Sequence, residues 1–300
     1  MKPHRAGFIA ILGRPNAGKS TLFNAILGEK MAIVSEKPQT TRNRILGIRN
    51  VDGGQLIFLD TPGIHQGGSA LNERMISAAL ASGKEGDLLV FLMDASSPRP
   101  EEDHRMVAAL EACGHPSFLV LNKIDLIKKE RLLPLMDQYR KFHPFEALLP
   151  VSARTGEGIS DLLEGILKFL PESPPLYPDD MITDQSERFL VSEIIREKVI
   201  LHSYQEIPFV TAVTIETFQE RPQEDLILIK GTIHVERDSQ KKIVIGKGGQ
   251  KLRAIGEMAR KEIEALLGRR VYLDLWVHME RNWTRDPRAL DEFGYALQKR

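Results

Sequence analysis

Gly13-Arg14-Pro15-Asn16-Ala17-Gly18-Lys19-Ser20 follows the apolar run Phe8-Ile9-Ala10-Ile11-Leu12 and precedes Thr21-Leu22-Phe23-Asn24-Ala25-Ile26-Leu27. The GxxxxGKS spacing therefore lies between a strand and a helix, the setting in which it cradles a triphosphate. Gly13 and Gly18 let consecutive N–H groups turn inward, and the helix adds the positive end of its dipole. Lys19 is placed to reach the β/γ-phosphates, and Ser20 to set its hydroxyl on a phosphate-bridging Mg2+. Gly13, Asn16, Ala17, Gly18, Lys19, Ser20 and Thr21 make up this part of the expected nucleotide site. A glycine turn before an ordinary helix is the plain alternative.

The base and the reaction are decided further along the chain. Leu56-Ile57-Phe58-Leu59 runs into Asp60-Thr61-Pro62-Gly63, a DxxG at a strand end. Such an aspartate holds Mg2+, usually through water, and Gly63 can offer its N–H to the γ-phosphate because it lacks a side chain. Ser117-Phe118-Leu119-Val120-Leu121 runs into Asn122-Lys123-Ile124-Asp125. Guanine presents N1–H and N2–H side by side and one carboxylate accepts both, so Asp125 selects GTP over ATP. Asn122 either ties this loop to the phosphate loop or accepts at N7, and the Lys123 stem covers the base face. Ser152-Ala153, after Leu148-Leu149-Pro150-Val151, could meet the guanine O6 through its backbone.

These motifs, each at a strand end and in this order, resemble the translation-factor-like GTPases. GRPNAGKST, Pro38-Gln39-Thr40-Thr41-Arg42 and DTPG resemble the TrmE-Era-EngA-YihA-septin-like group within them. The resemblance implies that a threonine of the PQTTR loop closes on Mg2+ in the GTP state. Alignment favours Thr41, although either hydroxyl could serve. The metal set is then Ser20, Thr41 and Asp60. Ile64 stands where Ras-type GTPases carry a water-orienting glutamine, so slow intrinsic turnover is expected, with the water held near Thr41 and Gly63 or by a partner. Relatives with asparagine at position 16 hold K+ against the phosphates, which makes Asn16 a catalytic candidate and K+ a candidate cofactor beside GTP/GDP and Mg2+. Backbone preference alone also explains Asn16.

The chain of 300 residues exceeds a typical domain, and residues 1–171 read as a doubly wound α/β P-loop GTPase domain. Its strands fall near 7–12, 56–60, 87–93, 117–121 and 147–151, with Val34–Gln55 a switch loop leading into an edge strand at 44–50. Four prolines across Pro171–Asp180 forbid a helix, and residues 172–181 read as a semi-rigid linker. The lone Cys113 rules out an intramolecular disulfide and reads as a buried thiol. No apolar run approaches a membrane-spanning length, which suggests a cytoplasmic chain or one peripheral to the inner membrane.

Residues 182–300 follow a different grammar. A helix at 187–202, strands at 209–218 and 226–236, a helix reaching Ile245, the turn Gly246-Lys247-Gly248-Gly249, a helix through Leu252–Leu266 and a strand at 271–278 resemble an α+β type II KH domain, with a short C-terminal helix. A GxxG turn admits RNA backbone beside the next helix N-terminus. Ile245, Gly246, Lys247, Gly248, Gly249 and Lys251 are the expected RNA-binding residues. Although 41 basic residues balance 41 acidic ones overall, Arg237–Arg270 carries ten Lys/Arg against four Asp/Glu. Trp276 reads as sheet core, and Trp283 as part of a turn capping the last helix rather than an RNA-stacking ring.

The added KH-like domain narrows the resemblance to Era-type GTPases over essentially the whole chain. It implies a monomeric switch whose KH domain engages the 3′ region of 16S rRNA during 30S subunit maturation. A non-hydrolysing RNA-binding module and a small-molecule phosphotransferase are the alternatives; Ile64 supports the first, and Asp125 opposes the second.

Overall fold

The computed structural model describes residues 4–35, 37, 40–63, 70–111, 114–203 and 206–295. Ile64, Cys113, Pro38 and Gln39 lie outside the described residues, and so do the expectations attached to them.

The first domain runs β1 (Arg5–Gly13), α1 (Lys19–Leu27), β2 (Ile45–Val51), β3 (Gly54–Asp60), α2 (Ala70–Glu85), β4 (Leu88–Asp94), α3 (Pro100–Glu111), β5 (Ser117–Asn122), α4 (Leu132–Tyr139), β6 (Ala147–Pro150) and α5 (Ile159–Phe169). Among the described residues six strands pair in the order β2-β3-β1-β4-β5-β6, all parallel except β2. The parallel strands are apolar on both faces because helices cover both. Ile9 and Ile11 of β1 join Phe23, Leu162 and Ile166 on one side, whereas Ala10 and Leu12 join Ala79, Val107 and Tyr139 on the other. The strand order reverses at β1, and ligands of such sheets bind where the carboxyl ends meet that reversal. Gly13, Asp60, Asp94 and Asn122 all end their strands at that edge.

The chain between the domains is not a free spacer. The N–H of Ile48 donates to the carbonyl of Ile182 at 2.7 Å, Thr183 Oγ1 donates to the Leu46 carbonyl, and Gln55 Nε2 donates to the Tyr177 carbonyl. Tyr177 also packs edge-on against Phe8. These contacts cover the exposed edge of β2, which would otherwise offer unpaired backbone.

The second domain comprises α6 (Glu187–Leu201), β7 (Ala212–Arg221), β8 (Leu226–Val235), α7 (Asp238–Ile245), α8 (Gln250–Leu267), β9 (Arg270–Met279) and α9 (Pro287–Glu292). β8 pairs antiparallel with β7 and parallel with β9. Every second residue of β8 is buried, since helices cover only one face of this sheet. Ile229 and Ile233 of β8 meet Ile195 of α6 and Ile255 and Ile263 of α8 in the core beneath that face. Two expectations need correction. β7 starts at Ala212 rather than at 209, because Ile207–Phe209 with its proline forms a 3-10 turn. Trp276 is 49% exposed rather than core: Val277 beside it points inward, so strand alternation turns the indole outward, where Lys230 lies 5.9 Å from its ring.

Candidate nucleotide site and nucleic-acid interface

The phosphate loop is held by close backbone packing. Gly18 has φ +96°, and a Cβ there would lie 2.3 Å from Asn122 Nδ2. That amide donates to the Ala17 carbonyl at 2.9 Å, while Asn122 Oδ1 accepts from the Ala153 N–H at 2.9 Å. Asn122 thus joins three loops, in keeping with a tie to the phosphate loop. A Cβ at Gly63 would meet the Pro15 backbone at 2.9 Å, so the DTPG turn rests directly on the phosphate loop.

Lys19 Nζ donates to the carbonyls of Gly13 and Arg14, both at 3.0 Å. Burial pushes its pKa down to about 8 against the attraction of Asp60. Ser20 Oγ lies 2.8 Å from Thr41 Oγ1 and donates to Asp60 Oδ2 at 2.8 Å; Thr41 Oγ1 donates to the same oxygen at 3.3 Å. Thr40 turns away, donating to the Lys37 carbonyl at 2.6 Å. The structure therefore brings Thr41, and not Thr40, to Ser20 and Asp60. Asp60 Oδ1 is buried without a partner, and burial pushes this carboxyl up to about 6 against the Lys19 charge and the two hydroxyls. Two hydroxyls and one carboxylate, one of whose oxygens is buried and orphaned, fit a hard, oxygen-seeking cation such as Mg2+.

At the base end, Ser152 Oγ donates to Asp125 Oδ1 at 2.7 Å and Arg154 Nη2 to Oδ2 at 2.5 Å. The Ser152 hydroxyl, with help from the Arg154 charge, holds Asp125 below the usual carboxylate range despite its desolvation. Asp125 is thus anionic and placed to accept a paired donor. Lys123, at φ +65°, donates to the Asn16 carbonyl at 2.7 Å and to Asp94 Oδ2 at 2.6 Å. Asn16 itself is exposed with φ +64°, a conformation asparagine tolerates.

Several residues of this site were not singled out by the motifs. Asp94 braces Lys123; its position at the end of a buried strand is a signal that could have marked it. Arg14 is turned away from the phosphates toward Asp103, a carboxylate that also accepts from Tyr139 Oη at 2.6 Å. Arg154 belongs to no motif, and Arg42 closes PQTTR without a role assigned to it.

The GKGG turn lies between α7 and α8. Gly248 and Gly249 adopt φ +60° and +77°, and a Cβ on either would meet nothing within 4 Å, so the turn opens to solvent. Gly249 caps α8 without a side-chain hydrogen bond, which leaves helix N–H groups available to an anion. Lys247 is exposed, and Lys251, Ile245 and Gly246 are half-buried beside it. Part of the nearby basic charge is neutralised by Lys242–Asp238, Arg260–Glu264 and Arg269–Glu220 pairs. Trp283 is fully buried and donates its indole N–H to the Val210 carbonyl at 2.9 Å, while Asp286 caps α9. Its ring is therefore structural.

The family of 50S ribosome-binding GTPases matches residues 8–123, and the KH domain family matches residues 206–284. GTPase Era of Syntrophus aciditrophicus is 53% identical over 291 residues, covering 97% of this chain and 95% of that protein. GTPase Era of Geobacter metallireducens is 49% identical over 294 residues, covering 98% and 99%. Crystal structures of Aquifex aeolicus Era bound to GDP·AlF4−, and of Era with MgGDPNP and nucleotides 1506–1542 of 16S ribosomal RNA, each superpose with a TM-score of 0.94. Both are 42% identical and cover 98% of this chain and 100% of those chains. With a guanine site at the sheet's carboxyl edge and a GKGG turn in an appended KH domain, the chain belongs to the Era family of GTPases.

Proposed function

We propose that this GTPase is an RNA-directed switch in 30S subunit assembly, reading the 3′ region of 16S rRNA with Ile245–Gly249 and Lys251. The observation that carries it is the pairing, in one chain, of a guanine site with an open GKGG turn heading a helix. The Era–rRNA complex of the same fold supports the RNA assignment. In this reading residues 1–171 bind and hydrolyse GTP, residues 172–181 connect, residues 182–300 bind RNA, and the protein acts as a cytoplasmic monomer on 30S precursors.

Gly13, Ala17, Gly18, Lys19 and Thr21 hold the phosphates, while Asn122, Lys123, Asp125, Ser152 and Ala153 hold guanine. Ser20, Thr41 and Asp60 would hold Mg2+, which would neutralise phosphate charge. Backbone groups near Thr41 and Gly63, or a partner, hold the attacking water. Asn16 would supply a ligand for K+; equal hydrolysis rates in potassium and sodium would remove that role.

Single-turnover GTP hydrolysis with and without a 3′ fragment of 16S rRNA tests the switch. Phosphate release that responds to RNA is expected, and no release under either condition would leave a non-hydrolysing RNA-binding module instead. RNA affinity measured with GDP and with a non-hydrolysable GTP analogue should differ. A ratio near one would mean that nucleotide does not gate recognition.

A further inference from the structure

Thr41 is bracketed by two arginine anchors that belong to the seam between the domains. On one side, Arg196 of α6 donates from Nη2 to the Thr40 carbonyl at 2.5 Å, while Glu193 pairs with the same guanidinium at 2.6 Å. On the other side, Arg42 reaches the opposite way, out of the switch loop and into the second domain. Its Nη1 donates to the Thr211 carbonyl at 2.7 Å and to Tyr295 Oη at 3.3 Å. Its Nη2 donates to the carbonyls of Pro208 and Phe209 at 2.8 and 2.9 Å. The rings of Trp283 and Tyr295 lie 5.7 and 5.6 Å from its guanidinium carbon.

Arg42 keeps only 3% of its surface. Carbonyl dipoles and aromatic faces replace the water at Nη1 and Nη2, while Nε is buried without a partner. The same contacts make the position rigid. Withdrawing Arg42 would strand the carbonyls that it satisfies.

We propose that Arg42 is a positioning residue for hydrolysis: the KH domain grips it so that the neighbouring Thr41 hydroxyl is held against Ser20 and Asp60. The second domain is then a working part of the GTPase centre as well as an RNA reader. Displacing the Ile207–Thr211 turn or the Trp283–Tyr295 segment slows hydrolysis without touching the nucleotide. A lysine cannot substitute, since a single ammonium cannot fork between the two groups of carbonyls that Nη1 and Nη2 reach.

The inference rests on the assignment of Thr41 to the Mg2+ site, and the test separates the two. Full-length wild type, Thr41→Val, Arg42→Met, Arg42→Lys and Tyr295→Leu are compared by single-turnover GTP hydrolysis across a Mg2+ titration, with GDP affinity measured in EDTA. Arg42→Met should slow turnover roughly 10- to 100-fold and raise the Mg2+ needed for half-maximal rate several-fold, about the scale of a misplaced catalytic group. GDP affinity without Mg2+ should stay within about twofold, because uniform binding is untouched. Arg42→Lys should recover little of the rate. Tyr295→Leu, distant in sequence, should show the same Mg2+ signature at smaller size, and it decides the matter should Arg42→Met fail to fold. A slow Thr41→Val beside wild-type rates and Mg2+ dependence in the Arg42 and Tyr295 variants would reduce Arg42 to domain glue. A wild-type rate in Thr41→Val would overturn the metal assignment and this inference with it.

Discussion

Asp60 and Lys19 are the residues of the phosphate and metal site whose protonation burial shifts. The Asp60 carboxyl moves from 3.8 to about 6 on burial, so in the metal-free protein it is neutral below that pH and anionic above it. The unfolded chain releases this proton more readily, so the group costs the metal-free fold stability as pH rises between those two values. Binding Mg2+ requires the anion, and its affinity for the GDP-loaded protein should therefore fall about tenfold per pH unit below about pH 6. Calorimetric titration between pH 5 and 7.5 would show this, and Asp60→Asn should bind weakly with a flat profile across the window. Asp125 gives a second prediction. Its paired acceptor oxygens match guanine donors, and Asp125→Asn should exchange preference from guanine to xanthine nucleotides by roughly 100-fold or more. Unchanged GTP affinity in competition binding would refute the assignment. Residues of this kind were legible in sequence because phosphate and guanine chemistry allow few substitutes at fixed spacing. Thr40 and Thr41 were chemically equivalent as letters, and only the path of the loop separates them. Arg42 was quoted within PQTTR without a role, since no local pattern reveals a partner more than 160 residues away.

At the scale of elements, the parallel sheet was the easier half to read. Its strands are uninterrupted apolar runs, and most end in a motif whose chemistry marks the carboxyl edge. The KH sheet was harder because only one of its faces is covered. A tryptophan in β9 could face either way, and composition favoured the core; the alternation with Val277 decided against it. The linker was read from its prolines as a spacer, a statement about backbone stiffness that carries no information about the β2 edge it covers. The GKGG turn was legible because glycines heading an amphipathic helix serve few purposes besides close approach of a backbone. Changing Lys247 and Gly248 together to aspartate should place two negative charges at the mouth of α8 and reduce rRNA-fragment affinity at least about 100-fold. GTP binding should be unaltered, since neither residue touches the first domain's site. Fluorescence anisotropy with the labelled fragment measures the RNA arm and a fluorescent GTP analogue the other, and undiminished RNA affinity would move the RNA site elsewhere.

At the scale of the whole molecule, the two domains share buried surface rather than merely abutting. Leu190 of α6 is buried in the same cluster as Phe23, Met31 and Ala32, and Phe189, Ile182 and Leu266 pack around it. A second cluster joins Leu71 and Met75 of α2 to Trp283, Leu290 and Tyr295. Lys30 adds a charged link, bridging Glu197 of α6 and Glu262 of α8 at 2.5 and 2.7 Å, and α8 is the helix that starts at the GKGG turn. Apolar contacts of this kind make domains unfold together, because exposing one side of the cluster exposes the other. Leu190→Ala removes methyl groups from that shared core and should cost about 2–4 kcal/mol. The loss falls on the seam, so it should also reduce cooperativity between the domains. Both tryptophans of the chain, Trp276 and Trp283, lie in the second domain, Trp283 against Leu71, Met75 and Arg42 of the first, so their fluorescence follows the second domain and its docking. Release of a fluorescent GDP analogue follows the first. In urea the two signals should coincide for the wild-type protein and separate for Leu190→Ala, with the KH transition moving to lower denaturant. Coincident transitions in the variant would show that the charged contacts and the Arg42 clamp suffice to keep the domains one cooperative unit.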